Sequence, residues 1–88
     1  MTENDNACLV ALHRMTSEYG ENQYFPFRPI ERITGLSRKV VRVSIRRLAR
    51  SGLAEYSRAL TTEDGMVAGA GYAITRAGYN LVEAMPHE

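Results

Sequence analysis

The sequence predicts a small α+β domain in which three helices precede a β-hairpin and a last helix follows it. Three observations predict this class. Apolar residues recur at helical spacing before Gly52, two strand-like runs flank a turn signal at Asp64-Gly65, and Thr75 opens a last helical segment. The 88 residues have room for one domain, 1–88 with its core at about 5–85, and 44% apolar residues suffice to build that core.

Apolar residues three or four positions apart predict the first helix, from about Asp5 to Tyr19. Residues 4–6 are all of helix-capping types, so we expect the helix to begin there. Gly20 has the conformational freedom to end it. The positions that share the buried face are Cys8, Leu12, Met15 and Tyr19.

An aromatic connector, residues 21–29, contains two prolines and cannot remain helical, so we expect at most a short extended piece there. Pro29 suits the first turn of a second helix of about two turns that ends at Gly35. The aromatic side chains are expected to fill core space between the first helix and the hairpin, with a stacking platform for single-stranded bases as the alternative. They are Tyr19, Tyr24, Phe25 and Phe27.

The third helix is predicted over residues 37–50, with Ser37 as its N-cap and Val41, Ile45 and Leu48 as its buried stripe. This segment contains six of the chain's eleven basic residues and no acidic one, although the whole chain has a net charge of only +1. A solvated helix face would carry interspersed acids for pairing along the helix. The concentration of charge therefore predicts a polyanionic partner.

The hairpin is predicted from the strand-like runs 53–60 and 67–74, which flank Asp64-Gly65. Thr75 is expected to cap the last helix, which runs through about Met85. The apolar positions of that helix are Leu81, Val82 and Met85.

Several classes of function are excluded by what the sequence lacks. A single cysteine, Cys8, cannot form an internal disulfide, and the first residues do not resemble a signal peptide. Apolar runs are far shorter than the roughly 20 residues that span a bilayer. No catalytic triad, phosphate-binding glycine loop or zinc ligand set occurs. We therefore expect a cytoplasmic protein that is not an enzyme and has no cofactor, no metal and no membrane partner.

Two motifs carry a resemblance to a known family. Leu36-Ser37, the three apolar residues of the third helix and Gly52-Leu53 are spaced as in winged helix-turn-helix regulators. Residues 72–78 then look like that family's strand followed by Leu-Thr-x-x-Gly, with Ile74 in place of leucine. Over about residues 7–85 the chain resembles the winged helix-turn-helix transcription regulators of bacteria and phages, including the multiple-antibiotic-resistance regulator type.

The resemblance implies a homodimeric transcriptional regulator that binds double-stranded DNA sequence-specifically, with helix 37–50 in the major groove. On a helical wheel the outer face of that helix carries Lys39, Arg42, Val43, Arg46 and Arg50. Arginine can pair with guanine, and valine can contact a thymine methyl group. The candidate DNA-binding residues are Ser37, Arg38, Lys39, Arg42, Val43, Arg46, Arg47 and Arg50, with Arg28 and Arg58 outside the helix.

The family's usage divides these candidates. Arg38, Lys39, Arg42 and Val43 in the N-terminal half of the helix are expected to read bases, and Arg46 is intermediate. Arg47 and Arg50 are expected to contact phosphates. Arg28 has either a DNA-backbone contact or a surface role, and Arg58 either reaches a phosphate or pairs with Glu55 or another acid. The hairpin tip, 61–65, departs from the family because it is acidic, which leaves the helix to supply most of the affinity.

Alternatives to a regulator remain at this point. The same fold could serve as a protein-interaction module, or as a phage or nucleoprotein architectural protein that binds DNA for assembly. Dimerisation is expected from the palindromic operators that this class favours. The apolar residues expected to extend the core across a two-fold axis are Leu9, Leu12, Leu81 and Met85.

Overall fold

A computed structural model of the protein describes residues 1–20, 23–61 and 67–86, so most of the predicted hairpin tip lies outside the described residues. The described chain forms a small α+β fold with four helices and a two-stranded antiparallel hairpin. Its elements are α1 (Glu3–Tyr19), α2 (Phe27–Thr34), α3 (Arg38–Arg50), β1 (Ala54–Thr61), β2 (Val67–Ile74) and α4 (Arg76–Glu83).

Helix α1 begins two residues before the predicted start, because Thr2 is its N-cap. The Thr2 hydroxyl accepts a hydrogen bond from the Asp5 backbone N–H at 3.1 Å, and the Asp5 carboxylate accepts one from the Thr2 N–H at 3.3 Å. This reciprocal pair is a capping box. The prediction of a cap among residues 4–6 was therefore wrong, since Asp5 occupies the third helical position instead.

Helix α2 also begins earlier than predicted, at Phe27, with Pro26 as its cap. Pro29 then occupies the third helical position, where the missing N–H has no partner in the helix anyway. The predicted end at Gly35 is confirmed, and this residue has a left-handed backbone with φ of +73° that favours glycine. The turn from α2 to α3 is therefore short, and Ser37 caps α3 as predicted.

The hairpin has nearly the predicted bounds, with β2 as expected and β1 beginning one residue late. Tyr56 of β1 lies directly opposite Tyr72 of β2. Phe25 adds the predicted extended piece, because its backbone exchanges hydrogen bonds of 2.8 and 2.9 Å with Tyr72. A Cβ at Gly71 would lie 2.9 Å from the Phe25 carbonyl oxygen, so glycine permits this approach.

Thr75 joins the end of the hairpin to its beginning. Its hydroxyl accepts the capping hydrogen bond from the Gly78 N–H at 3.1 Å and donates to the Gly52 carbonyl at 2.6 Å. Its own N–H donates to the Leu53 carbonyl at 3.1 Å. A side chain at Gly78 would collide with that same carbonyl, so α4 packs closely over the start of β1. The two sequence motifs that carry the family resemblance therefore meet in space.

The core lies between α1, α3, the hairpin and α4, and the predicted stripe of α3 is buried in it. Val41, Ile45 and Leu48 are all at most 1% exposed. This stripe fixes the rotation of α3 about its axis. Among the described residues, no helix is both long and apolar enough to cross a membrane.

Leu9 and Leu12 differ from their predicted place in a dimer interface, and Tyr19 differs from its predicted place in the core, whereas the predicted burial of Leu12 in α1 is confirmed. Leu9 and Leu12 are completely buried within one chain, so they cannot extend a core across a two-fold axis. Leu81 is 39% exposed, because Gly78 and Val82 define the inward face of α4 and Leu81 lies about 100° from Val82. Tyr19 ends α1 and is 65% exposed, so only part of the aromatic group enters the core.

Candidate nucleic-acid interface

The outer face of α3 presents four basic side chains to solvent. Because Val41, Ile45 and Leu48 point into the core, the opposite side of the helix faces outward along its whole length. Among the described residues, none of these four side chains forms an ion pair. The exposed residues of this outer face are Lys39, Arg42, Val43, Arg46 and Arg50, as predicted.

Arg38 lies at the edge of that face and has a partner within the fold. Its Nε is 2.9 Å from the Glu31 carboxylate of α2, and its side chain is 56% exposed. The pair links the two helices across their short turn. Arg38 was a predicted base contact, and any such contact would compete with Glu31.

Arg47 lies at the other edge and pairs with a buried acid. Its Nε is 3.1 and 3.2 Å from the two carboxylate oxygens of Asp5, whose side chain is 4% exposed. Burial alone would raise the pKa of Asp5, but the Ser44 hydroxyl, Arg47 and Thr2 together outweigh this effect and lower the pKa. Asp5 is therefore ionised and holds α1 to α3, and a phosphate contact by Arg47 would have to compete with it.

Two buried polar groups lie beside this ion pair. The Ser44 hydroxyl also lowers the pKa of Asp5, although no hydrogen bond of ordinary geometry reaches its oxygen. Burial and the charge of Asp5 raise the pKa of the Cys8 thiol to about 11. A protonated, fully buried thiol is a poor nucleophile, so Cys8 acts as a core residue.

The remaining predicted contacts are dispersed around α3. The Ser37 hydroxyl accepts a hydrogen bond from the Val40 N–H at 3.3 Å, which caps the helix. Arg28 is exposed in the first turn of α2. Arg58 is exposed on β1, and Glu55 accepts instead from the Tyr24 hydroxyl at 2.8 Å, which raises the pKa of Tyr24.

A groove of about 400 Å³ separates α3 from the hairpin. Arginines from α3 form one wall, and aromatic rings form the other. The Phe27 and Tyr72 rings stack with centroids 5.7 Å apart, and the Tyr56 ring lies 5.1 Å from Tyr72 and is 51% exposed. We call this the α3–hairpin groove; its lining residues are Pro26, Phe27, Arg38, Arg42, Arg46, Tyr56, Ala70 and Tyr72.

The predicted aromatic group contained Phe27 of this wall but neither Tyr56 nor Tyr72. The strand pairing places Tyr56 beside Tyr72 on one face of the hairpin, and this pairing could have been inferred from the two strand-like runs. Which face of the hairpin turns toward α3 depends on packing between distant elements. That choice leaves no local signal in the sequence.

Comparisons with protein-family models, with curated proteins and with solved structures give no significant match to this chain. A functional assignment therefore depends on the geometry. Within the described part of the chain, no group of three acidic, histidine or cysteine side chains could hold a metal ion. His13 lies at the contact of α1 with α4, where its ring is 4.4 Å from that of Tyr79.

Proposed function

We propose that the protein is a winged helix-turn-helix transcriptional regulator that binds double-stranded DNA sequence-specifically through α3. The observation that carries the proposal is the difference between the edges and the outer face of this helix. Arg38 and Arg47 have acidic partners within the fold, whereas the four outer cations have none among the described residues. A helix with such a face fits the major groove, which is about 12 Å wide.

The order and contacts of the elements support this proposal. Helices α2 and α3 are joined by a turn of three residues, 35–37, and the Arg38–Glu31 ion pair connects them. The hairpin follows α3 directly, in the position of a wing. In this arrangement the first helix of the pair crosses the DNA backbone, and the second reads base edges with its N-terminal residues.

Individual roles follow from position along α3. Arg42 is the best placed to pair with the O6 and N7 atoms of a guanine, and Val43, 45% exposed beside it, suits a thymine methyl group. Lys39 lies one turn earlier on the same face. Arg46 and Arg50 lie further along the helix, where phosphate contacts are expected.

We propose that two copies bind one palindromic site, as is general for regulators of this kind. Leu9 and Leu12 cannot take part because they are buried. Of the other two residues of the predicted interface, Leu81 on α4 is exposed and Met85 is partly buried against the core. Sedimentation with and without DNA tests the pairing, and a monomer at high concentration in both conditions would refute it.

The experiment that tests DNA binding is a selection of bound duplexes from random sequence, followed by a salt titration on the selected site. If Arg46 and Arg50 of both bound copies each neutralise one phosphate, four phosphates in all, affinity should fall roughly a hundredfold between 50 and 200 mM salt. Failure to enrich any sequence would refute sequence-specific binding. Weak salt dependence would favour a protein partner instead.

Arg42→Ala in the same assay should cost about 1 to 3 kcal/mol of binding free energy and relax the preference at one base position. Arg14→Ala is the matched control, because Arg14 is exposed on α1 and lies outside this face. An equal loss on every sequence would show that Arg42 contacts a phosphate.

A further inference from the structure

We propose that the α3–hairpin groove binds one unpaired nucleotide of a nucleic-acid strand, with its base stacked on Tyr56 and its phosphate held by Arg42 and Arg46. This goes beyond duplex recognition, in which bases present only their edges. It gives a function to an aromatic wall that duplex binding by α3 does not use.

The Tyr56 ring is both accessible and fixed. Tyr56 is 51% exposed, and its ring packs at a tilt of 58° against Tyr72, which is only 9% exposed. The Tyr72 ring is in turn stacked on that of Phe27, and its backbone forms two hydrogen bonds with the backbone of Phe25. An exposed ring that is supported in this way loses little conformational entropy when a base stacks on it.

The facing wall supplies positive charge. Arg42 and Arg46 are one helical turn apart, so their guanidinium groups can converge on one phosphate. In the described part of the chain neither has an acidic partner. Arg38 lies at the groove as well, but Glu31 compensates its charge.

The size and lining of the groove indicate which nucleotides fit. A volume of about 400 Å³ lies in the range of roughly 300 to 1,000 Å³ typical of small-ligand sites. Within a duplex, neighbouring base pairs cover both faces of every internal base, so stacking on Tyr56 requires a base that is unpaired or at a duplex end. Among the described residues, the lining contains no amide or carboxylate side chain that could read a base edge. We therefore expect little preference among bases.

The test uses a ten-nucleotide single strand of thymidines with one central 2-aminopurine, whose fluorescence falls when it stacks. The protein should quench this signal on binding. Tyr56→Leu should abolish the quenching and lower single-strand affinity about tenfold, since one base stacked on one ring contributes roughly that factor. Tyr56→Phe should retain both the quenching and the single-strand affinity, because the aromatic ring remains.

Matched measurements separate this proposal from that of duplex binding. Tyr19→Leu is the control, because Tyr19 is an exposed tyrosine on α1 away from the groove. Tyr56→Leu should leave affinity for the selected duplex within twofold. No quenching by the wild-type protein, or equal losses for Tyr56→Leu and Tyr19→Leu, would overturn the nucleotide site. Failure to bind duplex with quenching intact would instead overturn only the proposed regulator.

Discussion

The outer face and the edges of α3 carry the same kind of side chain in different surroundings. At the edges, Arg38 and Arg47 are close enough to neighbouring helices to meet Glu31 and Asp5. On the outer face, the basic side chains are exposed and, among the described residues, have no acidic partner. The position of an arginine relative to the buried stripe therefore decides whether it forms an ion pair within the protein or is available to bind a partner.

The two edge pairs are not equivalent. Arg38 and Glu31 are both accessible to water, and such pairs contribute only about 0 to 1 kcal/mol. Asp5 is almost fully buried and also closes the capping box of α1, so its loss affects two elements at once. The stabilising role of the edges therefore depends mainly on Asp5.

The largest effect should come from placing a charge on the inner side of α3. Leu48→Asp buries an unpaired carboxylate in the core and should unfold the domain, at a cost of at least about 4 kcal/mol. Val43→Asp makes the matched change on the outer face and should leave stability within about 0.5 kcal/mol. Circular dichroism during urea unfolding measures both. A folded Leu48→Asp variant would contradict the assigned rotation of α3.

Asp5→Asn should have the next largest effect, because it removes the charge that Arg47 needs while nearly preserving the volume. We expect a loss of about 1 to 3 kcal/mol in unfolding free energy at neutral pH. Asp5 has a pKa below its ordinary 3.8 in the folded state, so its contribution is present above that value and disappears as pH falls through the lowered pKa. The wild-type protein and the variant should therefore converge in stability in acid. A difference in unfolding free energy between the two proteins that grows as pH falls would contradict this prediction.

Much of the fold was predictable because its signals are local. The spacing of Val41, Ile45 and Leu48 predicted the buried stripe, and Ser37 and Thr75 were recognised as caps from their residue types and positions. The start of α1 was missed because three residues of capping type follow Thr2. Only the three-dimensional geometry distinguishes the true cap from them.

The candidate site was predictable in part for the same reason. Helical periodicity alone placed the four outer cations together. It could not reveal that Arg47 pairs with Asp5, because the two residues are 42 positions apart and meet only when α1 packs on α3. Tyr56 was missed likewise, since its exposure beside Arg42 depends on how the hairpin docks.

Neighbouring residues allow a more selective test of the comparison. Arg46 faces outward and Arg47 pairs with Asp5, so we expect the alanine variant of Arg46 to affect DNA binding and that of Arg47 to affect stability. Arg47→Ala should lower stability by about 1 kcal/mol, a modest figure because its side chain is 46% exposed. Arg46→Ala should lower DNA affinity more than Arg47→Ala does and leave stability nearly unchanged. Urea unfolding measures the stability of the two variants, and titrations on the selected duplex measure their DNA affinity. Equal losses of affinity for Arg46→Ala and Arg47→Ala would contradict the difference between the outer face and the edge of α3.

The smallest effect should be that of Arg50→Ala, at the C-terminal end of the outer face. A guanidinium there meets a phosphate in the proposed complex, so its removal should weaken binding equally on all sequences and flatten the salt slope by about one unit for each bound copy. Arg14→Ala should leave the slope unchanged, because that arginine lies on α1. Titrations at several salt concentrations measure the slope for each protein. If Arg50→Ala altered base preference instead, the C-terminal half of α3 would read bases, and the division of roles along the helix would have to be reversed.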